Sequence, residues 1–111
     1  MALPKENRLI NKSNFDIIFK EGNAVKGNFL FIKYRKSDSY NPRFALIIPK
    51  KIIAGAVDRN KLKRFLSELI RLNLKNIQGS YDLVIVVNKK EKNDILGAEL
   101  LNLFRKISIL K

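Results

Sequence analysis

The cations whose spacing suits chemistry lie between Pro49 and Arg71, in the run PKKIIAGAVDRNKLKRFLSELIR. Lys50 and Lys51 lead into it, and Arg59, Lys61, Lys63 and Arg64 gather around Asn60 at the start of a helical pattern. Free N–H groups at a helix N-terminus favour phosphate, and guanidinium forks add paired contacts to its oxygens. The Asn60 amide can bond a base edge or a 2′-hydroxyl, and can equally cap or fix the local loop. Charge alone is also what a solvated helix face presents. The convergence of Lys50, Lys51, Arg59, Lys63 and Arg64 on one helix start is what favours an anion-binding role.

The rest of the inventory points to binding rather than bond breaking. The chain has no His and no Cys, which excludes imidazole acid/base catalysis, thiolate attack and His/Cys metal sites. Asp58, Glu68 and Asp82 are scattered, with no spaced pair suited to two-metal or acid/base work. Ion pairing and capping account for them. Lys plus Arg number 23 against 10 Asp plus Glu, a net charge of +13 over 111 residues. Such an excess repels itself and is tolerated where a polyanion neutralises it, so nucleic acid is favoured over an anionic membrane surface. A hydrophobic fraction of 46% argues against a disordered basic tail. No apolar run approaches the ~18 residues of a membrane span, and no signal-like segment opens the chain. The expectation is a soluble, cytoplasmic protein of one domain over 1–111, with a flexible basic segment at 1–12.

These residues need elements to position them. Ser13 opens a capping pattern for a helix over 14–21 that sets Phe15, Ile18 and Phe19 on one side, with Gly22 as its stop. Strands are expected at 28–35 and 43–48, paired as a hairpin across the polar turn 37–42, with a short edge strand at 24–26. A long helix spans about 56–76. On its wheel Leu62, Phe65, Leu66 and Leu69 share one arc, and Asn60, Arg64, Ser67 and Arg71 centre opposite. Residues 81–87 read as a strand covered on both faces. A last helix, capped by Asn93 or Asp94, runs to about Ile109 with Leu96, Leu100, Leu103, Phe104 and Ile107 as its stripe. The order α-β-β-(β)-α-β-α gives an α+β class, a single-domain α/β sandwich.

A second site is suggested on the first long strand. Phe29, Phe31 and Lys33 alternate on one face, with Leu30, Ile32 and Tyr34 on the other. Aromatics interleaved with cations suit sequence-tolerant stacking of single-stranded bases. Core packing of the same rings, and of Phe15 and Phe19 at i, i+4, is the competing reading.

The run A-V-D-R-N-K-L-K-R (56–64), preceded by K-K-I (50–52), resembles the signature of the protein subunit of bacterial ribonuclease P, close to K-K-x-G-x-A-V-x-R-N-R-x-K-R-x-x-R. The likeness extends to R-L near the start, Phe15, Phe19 and Gly22, the apolar strand after an aromatic-Asp pair, and L-F-R-K near the end. It implies an RNA-binding subunit of an endoribonuclease that matures the 5′ end of tRNA, present as a monomer within the holoenzyme. The RNA subunit would hold the active site and the Mg²⁺ ions, with none bound by this chain's side chains. Partners would be that RNA and precursor tRNA. By position, Arg59, Asn60, Lys61, Lys63 and Arg64, with Lys50, Lys51, Arg71 and Arg8, would contact RNA. Phe15 and Phe19, joined by Phe31 and Lys33, would line a cleft for the single-stranded 5′ leader. The resemblance also implies a left-handed β-α-β crossover around the motif helix, against the usual hand. Four departures stand out: Lys61 where Arg is usual, Ser67 where another Arg is usual, a loop over 52–55 one residue longer, and Asn88 after the last strand. Arg71, one turn beyond Ser67, could supply the phosphate partner that Ser67 does not. A ribosomal or general RNA-binding protein without a processing role is the alternative.

Overall fold

Residues 81–87, YDLVIVV, offer apolar side chains to both faces of a strand, and only a central position can cover both. In the computed structural model this segment is the hub. The structure describes residues 3–9, 12–37 and 40–110, with the side chains of 12–14 left out of the description. Its elements are α1 (Lys12–Glu21), β1 (Asn23–Lys26), β2 (Leu30–Lys36), β3 (Arg43–Ile47), α2 (Ala56–Asn73), β4 (Tyr81–Val87) and α3 (Asn93–Lys106). Short 3-10 turns lie at Lys5–Asn7 and Leu74–Asn76. The four-stranded sheet has the order β1-β2-β4-β3.

The expected hairpin between the two longer strands does not form. β2 pairs antiparallel with β4, β3 pairs parallel with β4 on its other side, and α2 connects β3 to β4. The reason is hydrophobic: β3 buries Phe44, Ala45 and Leu46 in succession, toward both faces, which placement beside the central strand permits. The short edge strand at 24–26 exists and pairs antiparallel with β2. The outer edge of β3 is met by the N-terminal segment, where the Leu9 N–H donates to the Phe44 carbonyl at 2.9 Å. Leu3 and Leu9 are buried, and the Asn7 amide donates to the Pro42 carbonyl at 2.8 Å. Residues 3–9 are thus anchored, where flexibility was expected of 1–12.

Two cores flank the sheet. On one face α2 and α3 cover Leu30, Ile32, Phe44, Leu46, Leu83, Ile85 and Val87. On the other, Leu9 and Ile18 cover Ala45, Val84 and Val86. Glycines mark two close approaches. At Gly22 a β-carbon would overlap the carbonyls of Ile18 and Tyr34, so the chain can turn from α1 into β1 only with hydrogen there. At Gly97 it would lie 2.9 Å from a Leu69 methyl and 3.2 Å from the Phe65 ring. The helix-weakening glycine lets α3 lie close on α2, a gain set against its ~1 kcal/mol propensity cost.

Helix ends differ from the expectation in detail. α1 begins at Lys12, so Ser13 falls inside it, and the expected cap lies outside the described side chains. α3 is entered from Lys92 without a side-chain cap, and the Asp94 carboxylate accepts from the neighbouring Ile95 N–H. α3 ends at Lys106 rather than Ile109, because Ser108 adopts φ 64° and the N–H groups of Ser108 and Ile109 turn back to the carbonyls of Arg105 and Phe104. That is the 5→2 and 6→1 pairing of a left-handed helix stop. No helix among the described residues is long and apolar enough to cross a membrane.

Candidate nucleic-acid interface

α2 carries the first group of candidates, and its buried arc runs through Leu62, Leu66, Ser67 and Ile70. Ser67 is fully buried, which corrects its expected place on the outer side; Phe65, expected inward, is 37% exposed. The buried stripe is turned by part of a residue step from the sequence wheel, and this sorts the cations. Arg59 sits three residues before Leu62 on the inner stripe and is half-buried, as is Lys63. Asn60, Lys61 and Arg64 are exposed on the outer side. Lys50 and Lys51 are exposed in the turn after β3, whose Ile52 and Ile53 N–H groups both donate to the Pro49 carbonyl.

Their hydrogen bonds divide them further. Among the described residues Lys50, Lys51, Asn60, Lys61, Lys63 and Arg64 make no side-chain hydrogen bond or ion pair. The Arg59 guanidinium instead donates to the carbonyls of Ile53 at 3.0 Å and Ala54 at 2.7 Å. Arg71 forms an ion pair with Glu68, its Nε donating at 3.1 Å to one carboxylate oxygen and its Nη2 to the other. The hydrogen bond from Arg71 holds the Glu68 carboxyl below its ordinary value and raises the Arg71 guanidinium above its own. Arg8 is exposed only in part, and its Nε donates to the Leu3 carbonyl at 2.8 Å. The N-terminus of α2 begins after Gly55 with no side-chain cap, which leaves first-turn N–H groups facing outward beside Asp58.

The second group lies on the sheet face beneath α1. Phe31 and Lys33 pair in register with Val86 and Val84 of β4, and both are half-buried. Phe15 and Phe31 pack against the cluster of Ile18, Val84 and Val86, while Phe19 is 42% exposed on the same helix. This settles which side of β2 faces solvent: Phe31 and Lys33 share the α1 face, and Leu30, Ile32 and Tyr34 face the α2/α3 core. Phe29 precedes the strand and packs with that opposite core, so it does not join the Phe31 and Lys33 row.

Two features escaped sequence reasoning. Lys61 and Lys90 face one groove with Asp58 and Glu91, bringing the loop after β4 beside the start of α2. The signal was present in the KKEK run, but nothing local says which helix that loop approaches. Second, the Glu99 carboxylate on α3 accepts the N–H groups of Asn28, Phe29 (2.9 Å) and Leu30 (3.2 Å), fixing the β1–β2 turn. A lone glutamate in an amphipathic helix gives no warning of this. Among the described residues no group of three or more Asp and Glu could hold a metal ion.

Comparison with known proteins adds a family. The sequence profile described as Ribonuclease P matches residues 3–108. The "Ribonuclease P protein component" of Vesicomyosocius okutanii is 35% identical over 107 residues, 95% of this chain and 94% of that protein. Its counterpart in Fusobacterium nucleatum is 38% identical over 84 residues, 76% and 75% of the two chains. The solved ribonuclease P protein of Thermotoga maritima superposes with a TM-score of 0.79 at 28% identity, covering 89% of this chain and 96% of that one. That of Staphylococcus aureus reaches 0.83 at 19% identity, a likeness of fold.

Proposed function

Since this chain belongs to the ribonuclease P protein family, a component of an endoribonuclease that processes tRNA, we propose that it binds the catalytic RNA subunit and holds the 5′ leader of precursor tRNA. The observation that bears most weight is the group of exposed polar side chains on α2, Lys61 and Arg64 beside Asn60, whose cations no carboxylate pairs with among the described residues. Desolvated or paired charges would have no further use for phosphate. These are open to it, and the uncapped helix start adds N–H donors of the same preference.

The chain's own contribution is binding and positioning. Lys50, Lys51, Lys63 and Arg64 take backbone phosphates of the RNA subunit, and Asn60 takes a 2′-hydroxyl or base edge. On the α1 face Phe31, Phe15 and Phe19 offer ring surfaces for leader bases, and Lys33 offers charge for the phosphates between them. Hydrolysis of the phosphodiester, with its Mg²⁺ ions, falls to the RNA subunit. Among the described residues, Asp82, Glu68, Glu21 and Glu99 are engaged by Arg43, Arg71, Arg35 and backbone N–H groups respectively. The left-handed sense of the β3–α2–β4 crossover belongs to the same reading. A ribosomal or general RNA-binding role is not favoured by the family.

Reconstitution tests it. The purified protein mixed with the ribonuclease P RNA of its own genome should raise cleavage of a precursor tRNA at low Mg²⁺, and do nothing alone. Joint replacement of Lys63 and Arg64 by Ala should weaken RNA binding and flatten its salt dependence by roughly 0.7 to 0.9 for every phosphate no longer neutralised. Unchanged affinity and slope would remove α2 from the interface.

A further inference from the structure

Arg59 and Arg64 belong to the same basic run, yet the fold uses them differently. Arg64 is exposed and unpartnered among the described residues. Arg59 lies on the inner stripe with Leu62, Leu66 and Ile70, and one guanidinium nitrogen bridges the carbonyls of Ile53 and Ala54 at 3.0 and 2.7 Å. The segment it grips is short and held elsewhere too. The Ile52 and Ile53 N–H groups close a turn on the Pro49 carbonyl, and the Ile53 side chain is buried in the main core. Lys50 and Lys51 project from the tip of that turn. The Ile53 and Ala54 carbonyls lie in the loop before α2 and accept no backbone N–H among the described residues, and one cationic guanidinium nitrogen donates to both.

We infer that Arg59 is a positioning residue: through one guanidinium nitrogen it fastens the 49–55 turn to α2 and thereby presents Lys50 and Lys51 to the anion bound by the outer face of the helix. The inference rests on the RNA-binding reading above and divides the labour within the motif. At position 59 one guanidinium nitrogen is engaged by two carbonyls, whereas Lys50, Lys51 and Arg64 hold no side-chain partner among the described residues.

Arg59→Met keeps the aliphatic stem and removes every donor; Arg59→Lys keeps the charge but replaces the planar guanidinium nitrogen with an ammonium of shorter reach. In the RNA-free protein, limited trypsin digestion at Lys50 and Lys51 should speed up about tenfold in Arg59→Met and measurably in Arg59→Lys, but not in Arg64→Ala. In titrations with the ribonuclease P RNA, Arg59→Met should weaken binding about fivefold to tenfold. Placed in a Lys50→Ala/Lys51→Ala background it should weaken binding by less than about twofold, since the two ammonium groups it positions are already gone. Unchanged digestion overturns the inference, as does a loss that adds fully to the double lysine variant or full recovery of affinity by Arg59→Lys with the turn still loose. Arg64→Ala is scored in the same titration. If it too leaves binding unchanged, the RNA-binding reading has failed and the inference goes with it.

Discussion

Arg43 and Asp82 stand opposite each other in the parallel register of β3 and β4 and close a two-pronged ion pair, Nε to Oδ1 and Nη2 to Oδ2, each at 2.7 Å. The side chains are 28% and 11% exposed, so the pair is partly desolvated and a lone survivor would be left with an unsatisfied charge. It pins the first residue of the β3–β4 pairing, at the end of the sheet where β2 also reaches Asp82.

Arg43→Met should therefore destabilise the protein by about 2 kcal/mol, read as a shift in the urea midpoint, and Asp82→Asn by a similar amount. The hydrogen bond from Asp82 raises the Arg43 guanidinium above its ordinary value. A raised base stabilises fully below its unfolded value and loses that contribution only as pH climbs through the folded one. For Arg43 that window lies far above the neutral range, so the Arg43→Met deficit should be flat from about pH 6 to 10. A deficit that shrinks across that range would assign the effect to another group.

The proposed leader face gives a prediction that separates binding from folding. Phe19 is 42% exposed, so Phe19→Ala should cost little stability. Stacking of a base on an aromatic ring is worth ~1–3 kcal/mol. Affinity of the reconstituted holoenzyme for a precursor tRNA with a leader should fall about tenfold, while affinity for mature tRNA is unchanged. Equal losses for both substrates would place Phe19 outside the leader path. Phe31→Ala should show the same selectivity with a larger stability loss, because its ring also packs on Val84 and Val86.

How much of this was legible depends on the range over which each signal acts. β4 could be bounded from its residues because five consecutive apolar positions, 83–87, agree on one environment, and α2 because its period persists over five turns. Strand partners are different. The turn 37–42 is polar enough for a hairpin, and only the burial demand of β3 on both faces, met beside β4, overrules it. Ser67 was misplaced because a wheel weighs polarity and not size: a serine is small enough to be enclosed at 0% exposure, whereas the arginine usual in the family would not be. Which face of β2 is open could not be read, since both faces carry two aromatics or aliphatics and one larger polar or aromatic group. Arg59 looked like its neighbours for the same reason: sequence gives charge, not what the charge already holds.

Arg71 and Glu68 give a test of affinity by release. Arg71 was the candidate to stand in for the arginine that Ser67 replaces, but its guanidinium is held by Glu68 one turn back. Glu68→Gln removes a carboxylate that both competes for Arg71 and repels phosphate. RNA affinity should rise about twofold to fivefold, with the salt slope steeper by up to about 0.7 to 0.9 if Arg71 then reaches a phosphate. The Glu68 carboxyl is held below its ordinary value, so the pair persists above that value and is lost only as pH falls through the lowered one. The gain from Glu68→Gln should thus be constant at neutral pH. No gain, or a loss, would mean that Glu68 orders Arg71 for binding and does not withhold it.

Ser108 closes α3 at φ 64°, a conformation that costs an L side chain about 1–2 kcal/mol and glycine almost nothing. Both backbone hydrogen bonds of the stop, from Ser108 to Arg105 at 3.0 Å and from Ile109 to Phe104 at 3.1 Å, depend on that angle. They bring Ile109 and Leu110 into the main core, where Leu110 also bridges to Ile77 after α2. Glycine adds unfolded-chain entropy, which offsets part of the relief. Ser108→Gly should stabilise the protein by about 0.5–1 kcal/mol and raise the thermal midpoint by a few degrees. Ser108→Val, whose branched side chain is poorly tolerated in that region, should lower it by at least as much. RNA binding should not change in either variant, since the stop touches neither α2's outer face nor the surface beneath α1. A lower midpoint for Ser108→Gly would show that the serine side chain contributes more than its strained backbone costs.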